Sequence, residues 1–152
     1  SSSQDEAESV VRDVLDKYHE APSEKGEIET NQDLIDSLYS KETFDDVYSA
    51  FHDQSNDFMR EISHLFHQSS PTSMKVAYEY YKLNIGEDFE TVINRDARLV
   101  TRFLDGHDFY EGVRAVLLDK TEPVWDPTKM NDVSEDIVNG YLKDLDQNKQ
   151  VL

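Results

Sequence analysis

Apolar residues recur along the chain at intervals of three and four, the spacing that places side chains on one face of an α-helix. The first of these stripes predicts a helix over about residues 5–20. Later stripes are separated by Pro22 to Gly26, by Gly86, by Gly106 and by the segment from Pro123 to Pro127. No useful length of chain alternates apolar and polar residues as a half-buried strand does. The pattern therefore predicts an all-α fold of six to eight short helices.

Residues that can accept hydrogen bonds from a first helical turn stand before several stripes. Ser70 is followed by Pro71, which suits the first helical position because its missing N–H has no partner there. Thr30 precedes Asp33 by three residues, and Asp108 precedes Glu111 by three, so both pairs resemble a capping box. The remaining predicted helix starts are Thr43, Asp88 and Ser134, the last opening a helix through Leu145.

The longest stripe predicts six inward-facing residues on one helix. They are Phe89, Val92, Ile93, Ala97, Val100 and Leu104. Val113, Val116 and Leu117 are likewise expected to face a core. Gly112 lies in the first turn of that later helix, where glycine costs about 1 kcal/mol of helix stability relative to alanine. We interpret it as a point where another backbone comes close.

The chain is strongly acidic, with 33 acidic and 15 basic side chains and a net charge of −18. Such a surface repels phosphate backbones and anionic lipids, so we expect neither nucleic acid nor a membrane as a partner. The absence of cysteine excludes disulfides and thiolate metal sites, and nothing in the sequence implies a metal or a cofactor. Hydrophobic content is 37%, so some apolar faces are expected to need an outside partner.

The acidity is uneven along the chain. We expect residues 1–4 to be disordered or a remnant of cloning, and residues 5–152 to form one helical domain. Its acidic half, 5–69, precedes a more neutral half, 70–152.

Three arginines of the neutral half, Arg95, Arg98 and Arg102, share one helix face. They indicate either a solvated stripe paired with nearby acids or a docking face for another domain or an anionic ligand.

Two ordered motifs in the second half resemble a known family. The run Gly-His-Asp-Phe-Tyr-Glu-Gly-Val-Arg-Ala-Val-Leu-Leu-Asp-Lys, with a proline and a tryptophan after it, is similar to the C-terminal signature of the crotonase superfamily, and specifically to 3-hydroxyisobutyryl-CoA hydrolases. The preceding Ser-Pro-Thr-Ser-Met-Lys resembles Ser-Pro-Thr-Ser-Leu-Lys of the same branch. The residues that fill these motifs are Ser70, Pro71, Asp108, Phe109, Glu111, Gly112, Ala115, Lys120, Pro123 and Trp125.

The resemblance implies a C-terminal helical cap of a crotonase-type enzyme, which hydrolyses a coenzyme A (CoA) thioester in valine breakdown. Its catalytic residues and oxyanion hole lie in an N-terminal α/β core, so none is assigned to this chain, which we expect to be inactive alone. The helical region is expected to pack on that core and help close the CoA pocket. Arg114, Lys120 and Trp125 are the candidate CoA contacts, each alternatively serving only packing and solvation.

Two other functions fit the same residues. One is a non-catalytic binding or scaffold module derived from this fold, and the other is the C-terminal part of an enoyl-CoA hydratase, which the Ser-Pro-Thr-Ser motif argues against.

Without a core, the chain is expected to self-associate or to leave an apolar patch open near Val113, Val116 and Leu117 or near Phe103 and Leu104. We expect a cytoplasmic location, or the mitochondrial matrix in a eukaryote.

Overall fold

The computed structural model describes residues 2–52 and 57–143. These residues form helices and loops without a strand, which confirms the all-α prediction. The α-helices are α1 (Ser2–Tyr18), α2 (Glu27–Thr30), α3 (Gln32–Tyr39), α4 (Phe44–Ala50), α5 (Asp57–Gln68), α6 (Pro71–Asn84), α7 (Phe89–Leu104), α8 (His107–Gly112) and α9 (Glu135–Leu142), with a π-helix (Val113–Asp119) after α8 and a 3₁₀ turn (Met130–Asp132) before α9.

The described helices exceed the predicted six to eight for two local reasons. The single turn α2 stands apart from α3, and the helix that follows Gly106 changes from α to π geometry at Val113. The last predicted helix extends to Leu145, a position outside the described residues, whereas α9 as described ends at Leu142.

Four predicted N-caps are confirmed by hydrogen bonds from the first turn to the capping side chain. Ser70 Oγ accepts from the amide of Ser73 at 3.0 Å, directly before Pro71. Asp88 Oδ1 accepts from the amide of Thr91 at 2.9 Å. The corresponding bonds at Thr43 and Ser134 are 3.2 Å and 3.3 Å long. Each cap satisfies an amide that has no partner within the helix.

The predicted cap at Thr30 is wrong. Thr30 is the last residue of α2, and its hydroxyl donates to the carbonyl oxygen of Gly26 at 3.0 Å. A threonine inside a short turn can satisfy its hydroxyl on the preceding turn, and that local bond competes with capping the next helix.

The chain divides into two compact units, residues 1–37 and residues 38–152. In the second unit, Val76 of α6 and Val138 of α9 are buried with Val133 between the 3₁₀ turn and α9. Partly buried side chains of α7 and α9 pack around them. A separate group of aromatic rings joins α4, α5 and α6. The ring centre of Phe44 lies 5.7 Å from that of Tyr78, and the ring centre of Phe51 lies 4.1 Å from that of Phe66. These contacts form the core that positions the second unit's surface.

The prediction that the α7 stripe faces inward is wrong for four of its six residues. Phe89 is 81% exposed, Val100 57%, Ile93 47% and Leu104 41%. The adjacent face of α7, which carries Leu99 and Phe103, packs against the core instead. Helix α7 thus has two apolar faces, and only one of them is covered by the residues that the structure describes.

The expected core-facing residues of the π-helix are also open. Val116 is 55% exposed and Leu117 63%, while Val113 is half-buried and only Ala115 is fully buried. The alternative expectation of an open apolar patch is the one that agrees with these exposures. Across residues 2–52 and 57–143, no helix combines the length and hydrophobicity that crossing a bilayer requires.

The arginine stripe of α7 is used largely for contacts between elements. Arg95 donates to the carbonyl oxygen of Leu83 at 3.0 Å and pairs with Glu87 at 3.1 Å. Arg102 donates to the carbonyl oxygens of Gly140 and Lys143 at 2.5 and 3.0 Å, at the C-terminal end of α9. A cation is favourable there because the last carbonyls of a helix carry partial negative charge.

Candidate functional site

The motif residues come together where α8, the π-helix and the loop 120–127 meet the start of α6. Asp108 is the centre of this junction, with a side chain that is 7% exposed. Its Oδ2 accepts from the hydroxyl of Ser70 at 2.5 Å, and its Oδ1 accepts from the amide of Asp126 at 2.9 Å. A buried carboxylate is costly unless it is fully hydrogen-bonded, and these donors supply that compensation.

The predicted capping box of Asp108 and Glu111 is therefore wrong. The N-cap of α8 is Gly106, without a side-chain cap, and Asp108 is already inside the helix. Asp108 accepts hydrogen bonds from Ser70, 38 positions earlier, and from Asp126, 18 positions later, and not from the first turn of its own helix. The motif thus joins three segments of the chain rather than starting one helix.

Asp108 also contacts His107, whose Nδ1 lies 3.0 Å from Oδ1. The hydrogen bond with this carboxylate raises the pKa of His107 above its ordinary value. Ser70, Asp108 and His107 have the composition of a nucleophilic triad but not its geometry. The serine hydroxyl donates to the aspartate rather than to the histidine, and Ser70 is buried as the cap of α6. This arrangement cannot activate the serine as a nucleophile.

Glu111 holds the next part of the loop. Its two oxygens accept from Arg114 Nε and Nη2 at 2.7 and 2.6 Å, and one also accepts from the amide of Val124 at 2.6 Å. The hydrogen bonds from Arg114 and from the amide of Val124 lower the pKa of Glu111 to about 2. Glu111 is consequently ionised across the physiological range.

Arg114 is shared between two carboxylates, because its Nη1 also donates to Asp119 Oδ2 at 2.6 Å. One guanidinium facing two carboxylates leaves no surplus positive charge for a phosphate. The arrangement favours the packing and solvation alternative for Arg114 over a direct CoA contact.

Gly112 is close to the ring of Trp125 and not to another backbone. A Cβ atom at Gly112 would lie 3.3 Å from the Trp125 ring. The indole N–H donates to the carbonyl oxygen of Gln68, at the end of α5, at 3.1 Å. The expected close approach is therefore present, but the approaching group is an aromatic side chain.

Lys120 ends the π-helix in the left-handed region, with φ 55° and ψ 44°. The amide of Thr121 returns to the carbonyl oxygen of Ala115 at 2.9 Å, a closure that requires this conformation. The ammonium group donates to the carbonyl oxygen of Val116 at 3.0 Å and remains exposed. Unlike Arg114, Lys120 forms no ion pair with a described carboxylate, so its charge is available to an anion.

The other two motif residues contribute apolar surface. Phe109 is 44% exposed and makes an edge contact with Tyr110 at 5.3 Å between ring centres, and Pro123 is half-buried in the loop. Sequence reasoning did not identify Asp126, Val124 or Asp119 as partners of the motif. Val124 and Asp126 lie in the loop 120–127, which has no periodic pattern of apolar residues, so the sequence gives no signal for their pairing.

Within residues 2–52 and 57–143, no group of three or more histidine or acidic side chains is placed to hold a metal ion.

Comparison with known proteins defines the class to which this all-α chain belongs. A family model described as Enoyl-CoA hydratase/isomerase matches residues 1–142. The chain therefore belongs to the enoyl-CoA hydratase/isomerase family, the crotonase superfamily that the motifs indicated.

Several similar curated proteins are named as hydrolases. The chain is 33% identical over 141 residues to the mitochondrial 3-hydroxyisobutyryl-CoA hydrolase of Rattus norvegicus, and 30% identical over 140 residues to that of Homo sapiens. Each match covers 89% of this chain and 36% of the relative, so the chain spans little more than a third of these enzymes. A carnitinyl-CoA dehydratase structure from Mycobacterium thermoresistibile shares the fold, with a TM-score of 0.78 and 24% identity over 90% of this chain and 39% of that one.

Proposed function

We propose that this chain is the helical region of a 3-hydroxyisobutyryl-CoA hydrolase, and that it supports the CoA site while the catalytic groups lie in an α/β core outside it. The observation that carries the proposal is the similarity of nearly the whole chain to hydrolases of that name, over the segment that contains both motifs. The names of these relatives supply the proposed substrate, 3-hydroxyisobutyryl-CoA.

The geometry of the motif favours a structural role for its carboxylates over a catalytic one. The carboxylates of Asp108 and Glu111 are saturated by donors of the chain itself. An ionised carboxylate whose oxygens are already occupied is a poor general base for a substrate. What these residues do is fix the π-helix and the loop 120–127, which present Lys120 and exposed apolar side chains.

The open faces of α7 and the π-helix support packing on the proposed core. Their exposed side chains are aliphatic or aromatic, in a chain whose surface is otherwise strongly acidic. Contiguous exposed apolar surface usually marks an interface. We infer that the core covers these faces in the complete protein. We also propose a cytoplasmic location, or the mitochondrial matrix in a eukaryote. The hydrolases of Rattus norvegicus and Homo sapiens are named as mitochondrial enzymes.

Thioester hydrolysis by the complete natural gene product tests this proposal. We expect release of free CoA from 3-hydroxyisobutyryl-CoA, and little hydration of crotonyl-CoA. Substituting Lys120→Ala should raise KM and leave kcat close to its original value, because a cation on the CoA moiety contributes to binding and not to the chemical step. Lys25→Ala, an exposed lysine paired with Glu29, is the matched control.

Two results would contradict the proposal. Hydration of crotonyl-CoA without thioester hydrolysis would make the chain part of an enoyl-CoA hydratase. A natural product no longer than this chain, without either activity, would favour the scaffold module.

A further inference from the structure

Three aromatic rings meet where the end of α4 lies beside the end of α5. The ring centre of His52 lies 5.2 Å from that of Tyr48 and 5.7 Å from that of His67, and the centres of Tyr48 and His67 are 6.4 Å apart. His52 follows α4, and His67 belongs to the last turn of α5. Both imidazoles are exposed. His52 and His67, the histidine pair, therefore offer two nitrogen ligands from different elements to a solute.

A backbone hydrogen bond orients the first imidazole. Nδ1 of His52 lies 3.1 Å from the carbonyl oxygen of Tyr48. A carbonyl oxygen only accepts, so this bond places the ring hydrogen of neutral His52 on Nδ1 and its lone pair on Nε2. Histidines that bind metals are commonly held in this way, with the second ring nitrogen donating to a backbone carbonyl. His52 thus has the tautomer that a metal ion requires at Nε2.

The separation of the two imidazoles fits a shared metal ion. Bonds from zinc to imidazole nitrogen are roughly 2.0–2.1 Å long, so two imidazoles on one tetrahedral zinc have ring centres about 5 Å apart. The rings of the histidine pair are 5.7 Å apart, with an angle of 76° between their planes. The terminal side-chain torsion of histidine is broad, so rotation of the rings can bring one nitrogen of each onto the same ion.

The chemistry of the pair and the charge of the chain both favour a transition-metal cation. A net charge of −18 raises the local concentration of cations. Imidazole nitrogen suits zinc, copper and nickel, whereas magnesium and calcium prefer oxygen. No third histidine or acidic side chain joins the pair among residues 2–52 and 57–143. Two protein ligands are fewer than the four of a structural zinc site, so the ion at this site is exchangeable.

We propose that His52 and His67 together bind one divalent transition-metal ion of borderline softness, such as Zn²⁺, with water in the remaining coordination positions. The bound ion links the end of α4 to the end of α5. This site is separate from the motifs and from the proposed hydrolase function. The spacing of 15 residues between the two histidines matches no metal-binding motif, and only the packing of α4 against α5 brings them together.

Zinc binding by the 152-residue chain tests the proposal. Zn²⁺ is titrated in competition with a chromophoric chelator, at constant ionic strength and mildly alkaline pH, because only neutral imidazole binds a metal. We expect one saturable site. His52→Ala and His67→Ala should each weaken the affinity at least about tenfold, since each removes a ligand. His64→Ala is the matched control, because His64 is exposed and lies one turn before His67 on α5.

A second measurement is the thermal unfolding midpoint. An ion that binds only the folded chain stabilises it, so Zn²⁺ should raise the midpoint of the unaltered chain and of His64→Ala, and not that of the other two variants. Far-ultraviolet circular dichroism establishes that each variant is folded. Equal zinc affinities for all three variants would assign the binding to surface carboxylates and overturn the proposal. Loss of binding in His64→Ala with retention in His52→Ala, or no saturable site at all, would overturn it as well.

Discussion

At the residue scale, two buried or nearly buried carboxylates organise the junction of α8, the π-helix and the loop that follows. Asp108 joins the start of α6 to the amide of Asp126, and Glu111 joins Arg114 to the amide of Val124. Each carboxylate accepts from both a side chain and a backbone amide. Removing either one leaves donors without partners, which costs more than the loss of an average hydrogen bond.

Asp108→Ala is expected to lower the free energy of unfolding by about 2–4 kcal/mol, because it leaves the Ser70 hydroxyl and the Asp126 amide without their acceptor in a buried place. Urea denaturation followed by circular dichroism measures the change. Asp16→Ala on the exposed α1 is the control, with an expected effect within about 0.5 kcal/mol. Equal midpoints for the two variants would show that the junction contributes nothing to stability.

Glu111 should make stability depend on acid pH. Its pKa is about 2 in the folded chain against an ordinary value of 4.5, so its contribution is complete above pH 4.5 and is lost as the pH falls towards 2. Glu111→Gln should flatten this part of the stability profile. A variant whose unfolding free energy falls between pH 4.5 and 2 as steeply as the unaltered chain would contradict the assignment.

His107 should act in the opposite direction. Its pKa is raised from the ordinary 6.5, so the contribution of the His107–Asp108 pair is complete below pH 6.5 and is lost as the pH rises through the folded pKa. Unfolding free energies of His107→Asn and the unaltered chain should converge above that pH. The effect is expected to be small since the imidazole is half exposed. A difference that persists unchanged to high pH would contradict this reading.

At the element scale, Gly112 marks the change from α8 to the π-helix and provides the space for Trp125. Gly140 of α9 is the matched comparison, since a Cβ there would meet nothing within 4 Å. Both residues are helical, so alanine offers each the same gain of about 1 kcal/mol in helix propensity. Only at Gly112 does an obstacle oppose that gain.

We therefore expect Gly140→Ala to raise the free energy of unfolding. The Gly112→Ala variant should be less stable than the Gly140→Ala variant by at least about 1 kcal/mol. The indole cannot withdraw easily, because its N–H is held by Gln68. Displacement of Trp125 by the new methyl group should shift the emission of this single tryptophan to longer wavelength. Equal stabilisation by both substitutions, with unchanged emission, would mean that the close approach has no consequence.

The elements also show what sequence alone can predict. The caps at Thr43, Ser70, Asp88 and Ser134 were predictable because each depends on an acceptor and an amide three residues apart. The same reasoning failed at Asp108, where the acceptor is satisfied by residues distant in sequence. Such pairings depend on how segments pack, and spacing within one helix carries no information about them.

At the scale of the whole molecule, an acidic chain exposes apolar faces on α7 and the π-helix. The sequence predicted which residues are apolar, but it could not distinguish a face buried within the chain from one that awaits a partner. Leu99 and Phe89 are both apolar residues of α7, yet Leu99 packs on the core and Phe89 is 81% exposed. Only the packing of α7 against its neighbours separates the two faces.

This combination of faces and charge predicts self-association that strengthens with salt. Repulsion between molecules of net charge −18 opposes contact at low ionic strength, and salt screens it. Sedimentation velocity from low to high salt should show a rising average mass, and Val100→Lys on the open face of α7 should reduce the rise. The exposed Arg12→Lys is a charge-neutral control. A monomer at every salt concentration would contradict the prediction and favour a self-sufficient module.

Reconstitution of activity tests the central claim most directly. The proposed function requires a catalytic core outside this chain, so the chain and that separately produced core are assayed alone and after mixing, with release of free CoA from 3-hydroxyisobutyryl-CoA as the readout. We predict no hydrolysis by this chain alone, since the carboxylates of Asp108 and Glu111 already accept hydrogen bonds from the chain and the hydroxyl of Ser70 is not activated. Mixing should restore hydrolysis, and a mixture that contains the Asp108→Ala chain should restore less. Hydrolysis by the chain alone, or full activity of the core without it, would contradict the account.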